Sequence, residues 1–303
     1  MKRAVLLVSH GTVDDLDDLP AFVTNVRRGH AAPAELVAEL RRRYEAIGGS
    51  SPLNRINAEV GAKLEASLGV PVAWANRLWK PTVAEVLPRL VREGATHVAV
   101  VPLAQHSAHV YADDARRAAQ GAGLDVELQC AANWGQRPDL CSAFAKRITA
   151  ALEGLDRART TVVMTAHSLP RAVVERGDPY EREVRASAEA IAKLVGADLR
   201  WTLAFQSQGM SDVPGGWLGP DLPTTIANVA ARGDAAIIFA PIGFLADHVE
   251  ILYDLDIEAA GIARSKGLRY ARARSLDADA DLVNVLAAVA RPLLQRAEEG
   301  SHG

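Results

Sequence analysis

Two stretches of this sequence occur twice, in the same order, and that repetition constrains the fold more than any other feature. Val5–Gly11 (VLLVSHG) resembles Val162–Ser168 (VVMTAHS): an apolar run, a small residue, then histidine. Val98–His106 (VAVVPLAQH) resembles Ala236–His248 (AIIFAPIGFLADH): an apolar run, a proline, then histidine within two turns. One such match is noise, whereas two in the same order indicate a duplicated unit. Short β-branched runs recur around them, at Ala4–Ser9, Val70–Ala75, His97–Val101 and Val126–Ala131. A second set lies at Thr160–Ala166, Asp198–Phe205, Ala235–Ala240 and Leu268–Ala273. Between the runs lie helical patterns: Pro33–Tyr44, Asn54–Leu68, Val83–Glu93, Leu140–Leu152, Pro179–Val195, Thr224–Ala231, His248–Ser265 and Asp281–Arg296. Near-continuous apolar strands alternating with helices predict an α/β fold of parallel sheets covered on both faces. The reading is two doubly wound units facing across a cleft, divided at the charged connector Gly154–Arg159.

In open parallel sheets, ligands sit beyond the carboxyl ends of the strands. His10, His106, His167 and His248 all fall there. The sequence has no GxGxxG and no Walker loop, so no nucleotide cofactor is expected. Net charge is −3, which gives no basic field for nucleic acid or an anionic membrane. Two cysteines, Cys130 and Cys141, are too few for a disulfide framework or a cysteine-held iron–sulfur cluster, and they fit a reducing cytoplasm. The longest apolar run, around Ala235–Ala246, is interrupted by Pro241 and Gly243, so no transmembrane segment is expected. The apolar start of the chain is short and lacks a small-residue cleavage site, so it reads as a first strand rather than a signal peptide.

Several stretches carry groups suited to chemistry. His167 follows an apolar strand in TAHSLP, where an imidazole can accept a proton or ligate a metal, although strand-end histidines also serve as structural hydrogen-bond donors. In ADHVEILYDLDIEA (Ala246–Ala259), Asp247 and Glu250 have capping-box spacing. Glu250, Asp254 and Glu258 also recur at i, i+4 and i+8, a like-charged helical face that either is solvated or is neutralised by a divalent cation. Asp256 lies off that stripe, and Ile251, Leu252 and Leu255 supply the core side. The Gly/Pro-rich loop in Ala204–Leu222 is long enough to be functional, with Phe205 and Trp217 as core anchors. RRRYEAIGGSSPL (Arg41–Leu53) reads as a helix end and a turn, and VRRG (Val26–Gly29) adds two arginines. These arginines are either surface charge or carboxylate partners.

Taken together, RRYEAIGGSSPL, NRLWKP (Asn76–Pro81), TAHSLP, GDPY (Gly177–Tyr180), FQSQG with WLGPDL, and PIGFLADHVEILYDLDIEA resemble the ferrochelatases over nearly the whole chain. VRRG followed by RYEAIGG most resembles the branch that uses coproporphyrin III. The resemblance implies two Rossmann-like domains, here residues 1–156 and 157–303, with the last helix able to pack back on the first. It implies insertion of Fe2+ into a porphyrin in haem synthesis, by a monomer in the cytoplasm with no organic cofactor and no iron–sulfur cluster. Its partners would be the porphyrin, ferrous iron and, transiently, neighbouring enzymes of the haem pathway.

Carried over by motif, His167 and Glu250 are the catalytic and metal-site pair, and Asp254 and Glu258 extend a carboxylate line for the metal. Arg27, Arg43, Tyr44, Ser51 and Tyr111 match porphyrin-contacting positions. The first strand ends in His10-Gly11-Thr12-Val13, where the family usually has Tyr-Gly-Thr-Pro or Asn-Gly-Thr-Pro. His10 is therefore also placed among the substrate-binding residues. Cobalt and nickel chelatases of other tetrapyrroles share such a His-Gly start and form the alternative within enzymes. A porphyrin- or haem-binding carrier is the alternative outside them.

Overall fold

The computed structural model describes residues 2–208 and 213–295 of the chain. The chain divides into two compact units. Unit one is Met1–Trp134 together with the segment from Asp277 onward, and unit two is Gly135–Leu276.

Unit one contains β1 (Arg3–Ser9), α1 (Leu19–Val26), α2 (Ala34–Ala46), α3 (Leu53–Leu68), β2 (Val72–Asn76), α4 (Val83–Arg92), β3 (His97–Pro102), α5 (Ala108–Gly121) and β4 (Glu127–Cys130). Its four strands run parallel in the order β2-β1-β3-β4. Ala4–Val8 and Val98–Val101 are buried throughout, as expected for strands covered on both faces. Thr82 and Glu85 form a capping box that starts α4, and Gly69, at φ 67°, ends α3.

Unit two contains α6 (Pro138–Ala151), β5 (Thr160–His167), α7 (Arg171–Glu175), α8 (Tyr180–Val195), β6 (Trp201–Gln206), α9 (Leu222–Ala231) and β7 (Ala236–Ala240). A π-helix (Glu250–Ala259), α10 (Ala260–Ser265) and β8 (Arg269–Arg272) follow. The chain then returns to unit one as α11 (Ala280–Gln295), tied there by His97 Nε2, 2.9 Å from the Leu293 carbonyl. The Gly154–Arg159 connector lies within unit two.

The second sheet is also parallel, in the order β6-β5-β7-β8. Each repeated motif therefore occupies the same place in both units. VLLVSHG and VVMTAHS form the second strand across, and the two proline-ended motifs form the third. Even the register agrees, since Leu7 faces Val101 and Met164 faces Ala240.

The correspondence extends to a turn that the sequence hides. The Asn76 N–H donates to the Pro81 carbonyl at 2.7 Å, and the Phe205 N–H donates to the Pro220 carbonyl at 2.8 Å. The residues after these prolines, Thr82 and Asp221, then cap α4 and α9. The intervening segment is short in unit one, Arg77–Lys80. In unit two it is the long Gly/Pro-rich loop, of which residues 209–212 lie outside the described residues.

Two expectations are modified. Helices α1, α5 and α7 were not expected from pattern. In α5 the buried positions are Ala108, Ala112 and Ala115, too small to mark an apolar stripe. The helix expected at His248–Ser265 begins as a π-helix and becomes α-helical only at Ala260. Among the described residues, no helix is long and apolar enough to cross a membrane.

Candidate active site

His167 closes β5, and its backbone is fixed on several sides. The Tyr180 hydroxyl donates to the His167 carbonyl at 2.9 Å. The Ser168 N–H donates to the Gln206 carbonyl at 2.7 Å, and Ser168 Oγ donates to the Leu218 carbonyl at 2.8 Å. Imidazole Nδ1 of His167 lies 2.5 Å from the Ser168 carbonyl. A carbonyl only accepts, so Nδ1 is the donor there, and in the neutral ring the lone pair lies on Nε2. Nε2 stands 3.7 Å from Glu250 Oε2; the side chains are 39% and 28% exposed, while Oε2 itself is buried.

Glu250 reaches this position because the loop after β7 folds tightly against the end of β5. The Gly243 N–H donates to the Thr165 carbonyl at 2.9 Å. A Cβ at Gly243 would lie 2.6 Å from Ala166 Cα, so any larger residue would push the loop away. Further along, His248 lies against Phe244, with ring centroids 4.9 Å apart. Its Nδ1 is 3.0 Å from the Ala246 carbonyl, and its Nε2 is 3.8 Å from Glu250 Oε2. Burial works against a charged His248. The hydrogen bond and charge of Glu250 outweigh it, helped by the Ala246 carbonyl and Asp254, and the pKa is raised overall. Glu250 thus stands between two imidazoles, of which the family motifs assign a role only to His167.

The carboxylates along the π-helix are not equivalent. Gln206 Nε2 donates to the Glu250 carbonyl at 3.2 Å, fixing the first turn. Ser207, in the left-handed region at φ 58°, donates its hydroxyl to Asp254 Oδ2 at 2.6 Å, and Asp254 is 3% exposed. Glu258 is exposed. Ile251 and Leu255 are fully buried and anchor the other face. Asp247 does not cap the helix, because Arg272 and Ser275 hold its carboxylate. Among the described residues, no group of three or more His, Cys, Asp or Glu side chains forms a preformed metal site.

Unit one carries its own strand-end cluster. Gly11, at φ 104°, turns the chain after His10 where a Cβ would lie 2.9 Å from Asn76 Cβ. His10 is exposed, with Nδ1 3.3 Å from the Tyr111 hydroxyl. Arg77 lies over the Tyr111 ring, 5.7 Å from its centroid, and bonds Asp114 at 2.5 Å. Tyr44 is 1% exposed, and its hydroxyl lies 2.7 Å from Thr12 Oγ1. Ser51 is 5% exposed. Arg43 is held by Glu39 at 2.8 Å, and Arg42 and Arg43 together pull the Glu39 pKa down to about 2. At the end of α1, Arg27 has a buried Nε without a hydrogen-bond partner among the described residues. Its neighbour Arg28 adopts φ 56°.

This geometry can be set beside known proteins. The family model for ferrochelatase matches residues 2–293. A ferrochelatase of Herpetosiphon aurantiacus is 35% identical over 301 residues, covering 95% of this chain and 98% of the relative. A coproporphyrin III ferrochelatase of Mycobacterium marinum is 35% identical over 305 residues, covering 98% of this chain and 87% of the relative. Among solved structures, SirB from Bacillus subtilis with Fe3+ has a TM-score of 0.63 at 17% identity, covering 99% of this chain and 98% of that one. CbiX, the terminal enzyme of sirohaem biosynthesis in denitrifying bacteria, has a TM-score of 0.52 at 14% identity, covering 95% and 98%. At these identities the structures show a common fold alone. Family match and full-length relatives together place this chain in the ferrochelatase family, the lyases that insert a metal ion into a porphyrin.

Proposed function

We propose that this chain inserts Fe2+ into coproporphyrin III, with His167 as the proton acceptor and Glu250 as its carboxylate partner. The observation that carries the reading is the His167–Glu250 pair, 3.7 Å apart and partly exposed at a strand end. Metallation takes up one divalent ion and releases two pyrrole protons. Nε2 of His167 is oriented to accept a proton, and Glu250 would stabilise the imidazolium that forms. Glu250 and then Asp254, oxygen donors suited to a divalent ion, would receive the metal as it sheds water. Glu258, exposed at the far end, would meet it first. The free cysteines Cys130 and Cys141 support a reducing cytoplasm as its setting.

The preference for coproporphyrin III rests on carboxylate count. This porphyrin carries four propionates, where protoporphyrin IX carries two. Unit one presents Arg27, with its unsatisfied Nε, and Arg43, with Tyr111 and His10 at the neighbouring strand end. Tyr44 and Ser51 lie inside and would act by shaping the turn between α2 and α3. The test compares kcat/KM for the two porphyrins with Fe2+, Co2+ and Ni2+ under anaerobic conditions. The reading expects coproporphyrin III with Fe2+ to be used best, and Arg27→Ala to lose more with coproporphyrin III than with protoporphyrin IX. A preference for protoporphyrin IX of about tenfold, roughly 1.4 kcal/mol in transition-state binding, would overturn it. Faster turnover with Co2+ or Ni2+ would shift the assignment of the metal.

A further inference from the structure

Arg272 ends β8, the edge strand of the second sheet, with its side chain 14% exposed. It meets two carboxylates that the metallation chemistry does not use. Nη1 and Nη2 grip Asp247 Oδ1 and Oδ2 at 3.0 and 3.2 Å, and Nε reaches Asp256 Oδ1 at 2.8 Å. Ser275 Oγ adds a bond to Asp247 Oδ1 at 2.5 Å, and the Tyr270 hydroxyl adds one to Asp256 Oδ1 at 2.8 Å. Asp247 and Asp256 lie just outside the stretch that carries His248, Glu250 and Asp254. One planar cation therefore ties both ends of the site-bearing segment to the sheet.

We propose that Arg272 is a positioning residue for metal delivery: its guanidinium holds Asp247 and Asp256 so that the intervening segment stays π-helical and keeps Glu250 and Asp254 in place. The inference rests on the function proposed above. An extended π-helix is rare and needs support from outside its own ladder. Here Gln206 and Ser207 support it at Glu250 and Asp254, and Arg272 supports it at Asp247 and Asp256. If the clasp is released, the segment can relax toward an i→i+4 ladder, which turns Asp254 relative to Glu250. A fork of five N–H donors can serve both carboxylates at once. A lysine ammonium keeps the charge but is a point donor and cannot span them.

The experiment compares Arg272→Lys with Arg200→Lys in the full chain. Arg200 forms another ion pair of unit two, 2.7 Å from the fully buried Asp234 carboxylate, ahead of β6 and β7. Both substitutions are expected to lower Tm by about 2–8 °C. Only Arg272→Lys should raise the KM for Fe2+, by about tenfold, with the KM for coproporphyrin III within about twofold of wild type. Only Arg272→Lys should speed amide hydrogen exchange across residues 249–259. Equal Fe2+ KM values and equal exchange in the two variants would overturn the proposal. Asp256→Asn, which keeps the shape of one end and removes its charge, should shift Fe2+ KM and exchange the same way by less, and no shift would also overturn it. Exchange is read without turnover. A wild-type protein that metallates nothing would count against the functional reading, while faster exchange in Arg272→Lys would still support the clasp.

Discussion

His106 and His248 occupy corresponding places in the two units, one past β3 and the other past β7, and their surroundings drive them in opposite directions. His106 is 3% exposed, and burial pulls its pKa down to about 4. His248 is half-buried, and although desolvation works against its charge, Glu250 beside it, with Ala246 and Asp254, raises its pKa. The segments that follow differ in the same sense. In unit one it is α5, whose Asp113 and Asp114 are matched by Arg116 and Arg117 one turn away. In unit two it is a π-helix whose Glu250 faces two histidines and whose Asp254 faces a serine. The duplicated frame provides two strand-end sites. We propose that the unit-two site is the one that serves metallation, because its carboxylates face histidines and a serine rather than arginines one turn away.

The comparison breaks most sharply at the two strand-end histidines, His10 and His167. His167→Ala is expected to lower kcat by about 100-fold or more, the scale of a lost general base. Porphyrin binding should stay within about tenfold, or roughly 1.4 kcal/mol. His10→Ala should lower kcat by less. Steady-state kinetics with a porphyrin-binding titration checks both, and a larger loss from His10→Ala would reverse the assignment of roles between the units.

Next in size is the response of stability to acid. The folded pKa of His106 lies below the ordinary 6.5, so the unfolded chain takes up that proton first as pH falls. Stability should therefore decline from pH 6.5 to pH 4, by about 3 kcal/mol at most. Urea unfolding at pH 7 and pH 4.5 should show a smaller difference between the two pH values for His106→Gln than for wild type. His248 has the opposite sign. Its raised pKa contributes stability that is present below pH 6.5 and lost as pH rises through the folded value. His248→Gln should therefore flatten the profile on the alkaline side instead. The same change at both sites would erase the contrast between the units.

Smaller effects separate the carboxylates of the π-helix. Asp254→Asn should raise the KM for Fe2+ by about five- to tenfold, because a buried charge near the site is lost. Exposed Glu258→Gln should change it by about twofold or less. Porphyrin KM serves as the internal control for both. Equal effects at the two positions would mean that burial does not rank the carboxylates.

Much of this was legible in the residues. Strands β1–β8 lie where β-branched runs alternate with helical patterns, because a doubly covered parallel strand has to be apolar on both faces. The shared strand order follows from the repeats VLLVSHG and VVMTAHS. Other features depend on contacts that no local pattern encodes. Glu250, Asp254 and Glu258 give the same i, i+4, i+8 spacing whether the ladder is α or π, and Gln206, Ser207 and Arg272 brace the ladder from distant parts of the chain. Asp247 has the spacing of a cap, but Arg272 takes its carboxylate. Tyr44 and Ser51, matched by motif to porphyrin-contacting positions, are themselves buried on either side of an otherwise exposed turn, which the motif alone does not encode. His248 was available as a signal, since it ends the second repeated motif as His106 ends the first, but repetition alone does not show that a carboxylate stands beside it.

The central claim is that the His167–Glu250 pair in unit two performs the metallation. Anaerobic, single-turnover insertion of Fe2+ into bound coproporphyrin III, followed by absorbance, tests it with wild type and Glu250→Gln. Glutamine keeps the shape and removes the charge that faces His167 and His248. The account predicts metallation by wild type and a rate at least about 100-fold lower in Glu250→Gln, with the porphyrin still bound. A Glu250→Gln rate equal to wild type would contradict it.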